Sequence, residues 1–366
     1  MRLLVNPGDG IAPLVEAINS AKNRVEIVIF RFDQREIERS LASAVSRGVA
    51  VHALIAHTNR NGQEHLRRLE MRLLAAGVTV ARTADDLERY HNKMMIVDRR
   101  ELYVMAFNLT LQDIERSRSF GVITRNRRLV AEAVRLFDAD TKRVPFEPGF
   151  DRFVVSPANA RKELTNFIRG TKKELVIYDP KISDPAIIRL LEDRARAGVE
   201  IRIIGRVTRK ISGVSVRRLP MRLHTRTMVR DGRLAFVGSQ SLREMELDNR
   251  REVGVICRER DVVSRLEQTF QEDWDSAEQA DQRAKLEEAQ PAAKVAKMVA
   301  KAVTRDLTPV APLVDGAVRE VIGQTSDVDL NPQEIEEAVK DAVKAAVKEA
   351  VRDVVEEAVE QNGAKH

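Results

Sequence analysis

The sequence predicts an α/β protein made of two tandem β-α-β repeats with mostly parallel sheets, followed by a C-terminal α-helical tail. Three observations predict this: an internal duplication, a strand–helix–strand pattern in each half, and a change of composition after about residue 278. The predicted domains are a first repeat at 1–145, a second repeat at 146–278 and a helical extension at 279–366. A chain of 366 residues, 43% of them apolar, can bury cores for two such repeats.

Each half contains a predicted buried strand. Residues 23–30 (NRVEIVIF) and 172–179 (KKELVIYD) form apolar runs of strand length, 149 positions apart. A stretch with helical periodicity follows each run, and a Gly-Val turn at Gly48 or Gly198 then leads into another strand. This order is typical of strands that pair in parallel.

The strongest sign of duplication is an alignment without gaps. Residues 91–140 align with residues 224–273 at a constant offset of 133 positions. Shared periodicity alone could arise in two unrelated α/β units, but a constant register with matching histidines and aspartates indicates duplication. The identical pairs include His91/His224, Met95/Met228, Asp98/Asp231, Gly121/Gly254, Phe137/Phe270 and Asp140/Asp273.

The tail has a different kind of sequence. Residues 334–360 repeat a four-residue unit that contains Ala-Val followed by Lys or Arg. Because an α-helix has 3.6 residues per turn, the apolar stripe of such a helix drifts around its axis. We expect this helix to pack on the body, to wrap a partner or to form a homo-oligomer. An acidic excess and few large apolar residues make a lipid-surface helix the less favoured alternative.

Composition narrows the location and the partners. A single cysteine excludes a disulfide framework and a cysteine-based zinc site. The sequence has no apolar run of spanning length and no secretory start, which predicts a cytoplasmic protein, with peripheral membrane association as an alternative. Residues 1–278 carry a net charge of +11 and residues 279–366 a net charge of −5. A basic body favours a polyanionic partner, either nucleic acid or an anionic lipid surface.

Basic residues are densest at 202–233, a segment that contains ten Lys and Arg residues and one acidic residue, Asp231. One interpretation is a cationic surface around the mouth of a pocket, which attracts a phosphodiester. The other is an ordinary solvated surface.

A histidine motif occurs once in each aligned segment. A basic residue follows the histidine by two positions, and an aspartate follows it by seven. The period of two places the histidine and the basic residue on one face of a strand, so an imidazole lies beside a positive charge that can hold a phosphoryl oxygen. The odd spacing places the aspartate elsewhere, which favours a structural anchor. The two motifs are His91, Lys93 and Asp98, and His224, Arg226 and Asp231.

These residues resemble the phospholipase D superfamily, whose signature H-x-K-x4-D occurs twice. The segments 106–110 (AFNLT) and 238–241 (GSQS) resemble the G-S-x-N-x-T segment that follows each motif in that family. Residues 249–255 (NRREVGV) resemble its N-x-x-E-V-G-V strand, and residues 118–124 are the counterpart in the first half. The resemblance covers about residues 10–277 and is nearest to bacterial cardiolipin-synthase-like and phospholipase-D-like proteins.

The resemblance implies both a fold and a mechanism. The repeats would pack about a pseudo-two-fold axis, and the two motifs would meet at one pocket. One histidine would attack phosphorus to form a phosphohistidine while the other protonates the leaving alcohol, with no metal or other cofactor. One imidazole must be neutral and the other protonated, which an ordinary histidine pKa near 6.5 allows. The implied roles are His91 as nucleophile, His224 as acid, Lys93, Arg226, Asn108 and Ser239 as phosphate-binding residues, and Glu252 as a residue that orients a histidine.

Three functions stay open at this point. Two unlike half-motifs suit an asymmetric substrate, which favours a phosphodiesterase or phosphatidyltransferase of the phospholipase D type acting on phospholipid. A nuclease of the same superfamily is one alternative. A catalytically decayed, phosphate-binding scaffold that oligomerises through the 334–360 helix is another, because several family positions differ. These are Arg226 in place of Lys, Met105–Ala106 in place of Gly-Ser, Ser241 in place of Asn, and Ser119 opposite Glu252.

Overall fold

The structure is a computed structural model that describes residues 1–57 and 63–289, together with residues 342–343 and 346–347. Of the described residues, 1–57 and 65–277 belong to one compact unit, and 63–64 and 278–289 belong to a second. The helix predicted over 334–360 lies outside the described residues, apart from 342–343 and 346–347, which are helical. In the described part of the chain, no helix combines the length and the apolar character needed to cross a bilayer.

Each repeat alternates strands and helices. The elements of the first repeat are β1 (Arg2–Asn6), α1 (Ala12–Ser20), β2 (Arg24–Ile29), α2 (Arg35–Ser46), β3 (Ala50–Ile55), α3 (Gln63–Ala75), β4 (Thr79–Arg82), β5 (Arg89–Tyr90), β6 (Met94–Val97), β7 (Glu101–Met105), α4 (Leu111–Glu115), β8 (Ser117–Thr124) and α5 (Arg127–Lys142). Those of the second are β9 (Phe153–Val155), α6 (Ala160–Arg169), β10 (Glu174–Ile182), α7 (Pro185–Arg196), β11 (Glu200–Val207), β12 (Val214–Arg217), β13 (Arg222–Leu223), β14 (Arg226–Arg230), β15 (Leu234–Gly238), α8 (Glu244–Asp248), β16 (Arg250–Arg251), β17 (Val253–Cys257) and α9 (Arg260–Ala289).

The two main sheets have corresponding strand orders. The first runs β1-β8-β7-β6-β2-β3-β4, and the second, counted from its β9 edge, runs β9-β17-β15-β14-β10-β11-β12. The α/β class and the tandem repeats are therefore confirmed. Along these two orders, the parallel pairs are those within β2-β3-β4 and β10-β11-β12, and the other pairs are antiparallel. The sheets are mixed because the helices α2 and α7 return the chain in the same direction, whereas the tight turns after β6 and β14 reverse it.

The cores explain the apolar runs seen in the sequence. Strand β2 points Val25 and Ile27 into an outer core beneath α1, α2 and α3, and points Val28 into a core that both repeats share. A chain of aromatic contacts crosses this shared core from the first repeat to the second. Its ring centroids are 5.2, 5.1 and 5.7 Å apart along Phe120, Tyr178, Phe270 and Trp274.

Short strands join the two repeats immediately before each motif histidine. Strand β5 pairs with β16 of the second repeat, and β13 pairs with β8 of the first. Buried ion pairs reinforce both junctions at equivalent positions: Arg118 lies 2.7 Å from Asp273, and Arg251 lies 3.1 Å from Asp140. Because each junction mirrors the other, the repeats are related by the expected pseudo-two-fold axis, and both motifs lie where the repeats meet.

Candidate active site

Both motif histidines lie just before a strand. His91 and Lys93 precede β6, His224 precedes β14, and Arg226 is the first residue of β14. The spacing predicted that each pair lies within a strand, whereas the pairing of β5 and β13 with the opposite repeat changes the course of the chain there. The backbone N–H of His91 donates to the carbonyl of Arg251 at 2.8 Å, and that of His224 donates to the carbonyl of Arg118 at 2.9 Å. Each histidine is thus held by the repeat that does not contain it.

His91 is bound at both ring nitrogens. Its Nδ1 lies 2.8 and 3.1 Å from the two carboxylate oxygens of Glu252, which is fully buried. Its Nε2 lies 2.8 Å from Nζ of Lys93, so the expected placement of the histidine and the lysine on one side is correct. Phe30 packs edge-on against the imidazole at 4.5 Å between ring centroids. A carboxylate at Nδ1 favours the tautomer with the proton on Nδ1, which leaves Nε2 unprotonated, with its lone pair toward Nζ of Lys93.

His224 has a different carboxylate beside it. Its Nδ1 lies 3.1 Å from Oδ2 of Asp113, a buried residue of α4. The Asp113 carboxylate also accepts hydrogen bonds from the backbone and side-chain amides of Asn108, at 2.9 and 2.8 Å, and from Arg222 at 2.5 Å. Asp113 was not among the residues predicted from the sequence. Its alignment with the acidic Glu246 at the offset of 133 was the signal that could have found it.

Arg226 is a buried cation with unused donors. Only 8% of the residue is exposed, and within the described residues its Nε and Nη1 atoms have no hydrogen-bond partner. Burial raises the pKa of Asp179, a residue of β10, and Arg226 is among the nearby groups that oppose this rise. The Asp179 carboxylate is itself bound by the hydroxyl of Ser241 and the backbone N–H of Leu242, so it orders the loop after β15. The free N–H groups of Arg226 are therefore available to an anion.

Two residues expected to line the phosphate pocket instead contact carboxylates. The side-chain amide of Asn108 donates to Asp113 at 2.8 Å. The hydroxyl of Ser239 donates to the carbonyl of Val253 and accepts from its backbone N–H. Burial raises the pKa of the neighbouring Glu252 carboxyl group, and Lys93 and Ser239 oppose this rise. In the structure, Asn108 and Ser239 each support the carboxylate that faces one histidine.

The motif aspartates anchor strands. Asp98 accepts the backbone N–H groups of residues 22–24 at the start of β2, the closest at 2.7 Å. Asp231 does the same for residues 172–174 at the start of β10, again with a closest distance of 2.7 Å. Burial opposes ionisation of both, but these three donors prevail and lower the pKa of each carboxyl group. This placement agrees with the structural role that the spacing favoured.

Burial and positive charge control the ionisation of the site. Burial, together with Lys93 and Arg226, lowers the pKa of His91 and of His224 well below 6.5. Burial also lowers the pKa of Lys93 to about 7, although the Glu252 carboxylate opposes this. The pKa near 6.5 expected from the sequence is therefore wrong for both histidines, which are neutral at pH 7 in the free protein. His91 contributes to the lowered pKa of His224, so the two imidazoles interact electrostatically across the junction.

The basic stretch at 202–233 is partly neutralised. Several of its arginines form ion pairs at 2.5 Å, namely Arg202 with Glu174, Arg209 with Glu192, and Arg222 with Asp113. The cationic surface predicted from this stretch is weaker than the count of its basic residues suggests.

Two α/β repeats with a histidine and a cation from each meeting at their junction define the class of protein. Residues 14–141 and 164–274 match the family described as "Cardiolipin synthase, PLD-like domain", one match in each repeat. The chain belongs to this family, and the predicted membership of the phospholipase D superfamily is confirmed.

Known relatives match parts of the chain. The mitochondrial cardiolipin hydrolase of Danio rerio is 28% identical over 130 residues, which are 34% of this chain and 56% of the relative. The chain thus spans about half the length of that relative. Among solved structures, polyphosphate kinase from Porphyromonas gingivalis has a TM-score of 0.63 at 19% identity, covering 74% of this chain and 46% of the kinase. Phosphatidylserine synthase of Haemophilus influenzae Rd KW20 has a TM-score of 0.57 at 12% identity, covering 75% of this chain and 86% of the synthase. Both structures share its fold.

Proposed function

We propose that the protein is a phosphodiesterase or phosphatidyltransferase of the phospholipase D type that acts on phospholipid through a phosphohistidine intermediate. The observation that carries the proposal is the buried guanidinium of Arg226, whose Nε and Nη1 have no partner in the described residues. It lies close to Lys93 and to two histidines, and a carboxylate faces Nδ1 of each histidine. Unpaired buried cations are costly, and an anionic phosphoryl group would compensate them.

In the first step, Nε2 of His91 attacks phosphorus and the bond from phosphorus to the leaving oxygen breaks. The Glu252 carboxylate at Nδ1 stabilises the positive charge that develops on the ring. Lys93, which lies 2.8 Å from the attacking nitrogen, turns to a phosphoryl oxygen when the substrate enters. Together with Arg226 it neutralises the charge that builds up on phosphorus, so the step requires no metal ion.

His224 gives its proton to the leaving oxygen and takes one back in the second step. There, water or an acceptor alcohol loses a proton to His224 and attacks phosphorus, which releases His91. Burial lowers the pKa of His224 most in the free protein, and Arg226 and Lys93 lower it further; a bound phosphodiester neutralises these two cations. Substrate binding therefore raises the pKa of His224, so that His224 takes up the proton that it later donates to the leaving oxygen.

The preference for phospholipid rests on two points. The half-sites differ, with Lys93 and Glu252 serving one histidine and Arg226 and Asp113 the other, which suits a substrate with two unlike ends. The matching family description and the name of the Danio rerio relative both refer to cardiolipin. On this proposal the protein is cytoplasmic and meets its substrate by peripheral contact with a membrane.

A nuclease of the same superfamily is the second candidate, because the body has a net charge of +11 and nucleic acid is also a phosphodiester. Trapping of the intermediate with an alkaline, denaturing quench separates the candidates, because the phosphorus–nitrogen bond of a phosphohistidine survives base and is hydrolysed by acid. The protein is mixed with vesicles containing ³²P-labelled anionic phospholipid, or with ³²P-labelled DNA, and digested for mass spectrometry. We expect acid-labile phosphate on the peptide that contains His91, from the lipid only. Label from DNA alone would favour the nuclease, and phosphate-ester binding without label or turnover would favour a decayed scaffold.

The lysine makes the reaction sensitive to pH. Because the pKa of Lys93 is about 7, its phosphate-binding charge is present below pH 7 and is lost above it. We expect kcat/KM, which reports ionisation of the free enzyme, to be higher at pH 6 than at pH 8, with a change of slope near pH 7. The Lys93→Arg variant keeps its charge throughout, so that change of slope should disappear even if its maximal rate is lower. A profile that keeps the same inflection in this variant would assign it to another group.

A further inference from the structure

The two histidines do not receive their carboxylates from equivalent positions. Glu252, which binds His91, aligns with Ser119 at the offset of 133 positions. Ser119 is fully buried, and its hydroxyl donates to the backbone carbonyl of Asp113 at 3.1 Å. The carboxylate that the symmetry of the repeats would supply to His224 is therefore missing.

Asp113 fills this gap from another element. It lies six residues earlier, on α4 rather than β8, and its Oδ2 is 3.1 Å from Nδ1 of His224. Its own counterpart, Glu246 on α8, faces Arg243 and Arg250 at 3.5 and 3.2 Å. The acidic position of α4 thus contacts a histidine as well as an arginine, whereas its counterpart on α8 contacts two arginines.

The surroundings hold this carboxylate in place. The two amides of Asn108 bind the same oxygen that faces His224, and Arg222 binds the other oxygen. Asp113 is 3% exposed, so its position is set by these donors rather than by solvent. Within the described residues, Nδ1 of His224 has no aligned hydrogen-bond partner, and Asp113 is the carboxylate at ion-pair distance. Hydrogen bonds of this kind often align only when the substrate is bound.

We propose that Asp113 is the positioning residue of His224. It holds the proton of the neutral imidazole on Nδ1, so that Nε2 faces the pocket, and it stabilises the imidazolium that forms when His224 takes a proton. The inference rests on the proposed function, since it assigns His224 an acid–base role. It also explains how a half-site with Ser119 in place of the family glutamate can retain a competent histidine.

The tautomer of His224 tests this directly and does not depend on turnover. In protein labelled with ¹⁵N-histidine, the ring resonances of His224 are assigned by comparison with a His224→Gln variant. We expect the neutral ring of the wild-type protein to carry its proton on Nδ1. In Asp113→Asn the Nε2–H form should become populated. A wild-type ring already in the Nε2–H form would overturn the proposal without any variant.

Activity and rescue provide the second readout. We expect Asp113→Asn to lower kcat on the order of 10²-fold with little change in KM, and Asp113→Glu to retain more of the rate. Adding Ser119→Glu to Asp113→Asn restores a carboxylate at the position of symmetry, and should recover the Nδ1–H tautomer and part of the rate. Glu246→Gln is the matched control, since it removes a buried acid at the equivalent position and should leave the His224 tautomer unchanged.

The two proposals fail in different ways. If the wild-type protein shows no phosphohistidine but His224 changes its tautomer in Asp113→Asn, the proposed function fails and the positioning contact stands. If phosphohistidine forms and the tautomer is the same in both proteins, the role assigned to Asp113 is wrong. If Asp113→Asn lowers kcat but Glu246→Gln shifts the His224 tautomer equally, Asp113 acts only through general packing, which also overturns the inference.

Discussion

Replacing His91 with asparagine is expected to lower kcat/KM by at least about 10³-fold while leaving the fold intact. The asparagine amide can still donate to Glu252, which accepts from Nδ1 of His91 at 2.8 Å, so the buried carboxylate keeps a partner. What is lost is the nucleophilic nitrogen, which no neighbouring side chain replaces in the proposed mechanism. Steady-state kinetics with a phosphodiester substrate, together with far-UV circular dichroism and a thermal unfolding curve, measure the two effects separately.

Two further variants sharpen this prediction. His52→Asn alters a partly exposed histidine on β3 and should leave kcat/KM unchanged. His224→Asn should slow the release of an aliphatic alcohol strongly, but should slow the release of p-nitrophenolate much less, because that leaving group needs no proton. His91→Asn should be equally inactive on both substrates. The opposite pattern would show that His224 is the nucleophile and His91 the acid. The sequence alone does not distinguish these two assignments.

The largest expected effect on stability comes from a glycine behind the site. Gly205 on β11 has φ +147°, and a Cβ atom there would lie 1.7 Å from the backbone carbonyl oxygen of Asp179 on the paired strand. Neither backbone can yield without breaking the sheet. We therefore expect Gly205→Ala to lower the free energy of unfolding by about 3 kcal/mol or more. Because Asp179 orders the loop at Ser241 and Leu242, catalysis should fall as well.

Gly198→Ala is the matched control for this change. Gly198 also has a positive φ, +85°, but a Cβ atom there meets nothing within 4 Å. Gly198→Ala should therefore lower the free energy of unfolding only by the cost of backbone strain, about 1 kcal/mol. Urea unfolding of the three proteins measures the difference. Equal losses in the two variants would show that strain alone, and not the collision with Asp179, makes Gly205 necessary.

Much of the fold could be predicted because it depends on local pattern. The apolar run at 23–30 and its repeat at 172–179 became β2 and β10, and the ungapped alignment predicted two equivalent sheets. The direction of the remaining strands could not be predicted in the same way. Short apolar strands such as β7 and β15 have the same composition in either orientation, and tight turns decided in favour of antiparallel pairing.

The candidate site, like the fold, was predictable from the sequence only in part. His91, Lys93, His224 and Arg226 were identified from their spacing, because that spacing is a property of the chain. Asp113 and the altered pKa values were not, since they depend on which groups are brought together and on how deeply they are buried.

The sequence by itself determined the duplicated α/β architecture, the four groups of the paired motif and the anchoring aspartates. Periodicity, spacing and the alignment of the two halves are properties of the order of residues and do not depend on how the chain folds. Only the tertiary structure decided which carboxylate faces which histidine, that burial and positive charge lower the pKa of both imidazoles, and that Nε and Nη1 of Arg226 have no partner among the described residues. Those properties arise from contacts between residues more than 100 positions apart, such as His91 with Glu252 and His224 with Asp113. The free energy of burying charge is set by the whole surroundings of a group and not by its neighbours in the chain.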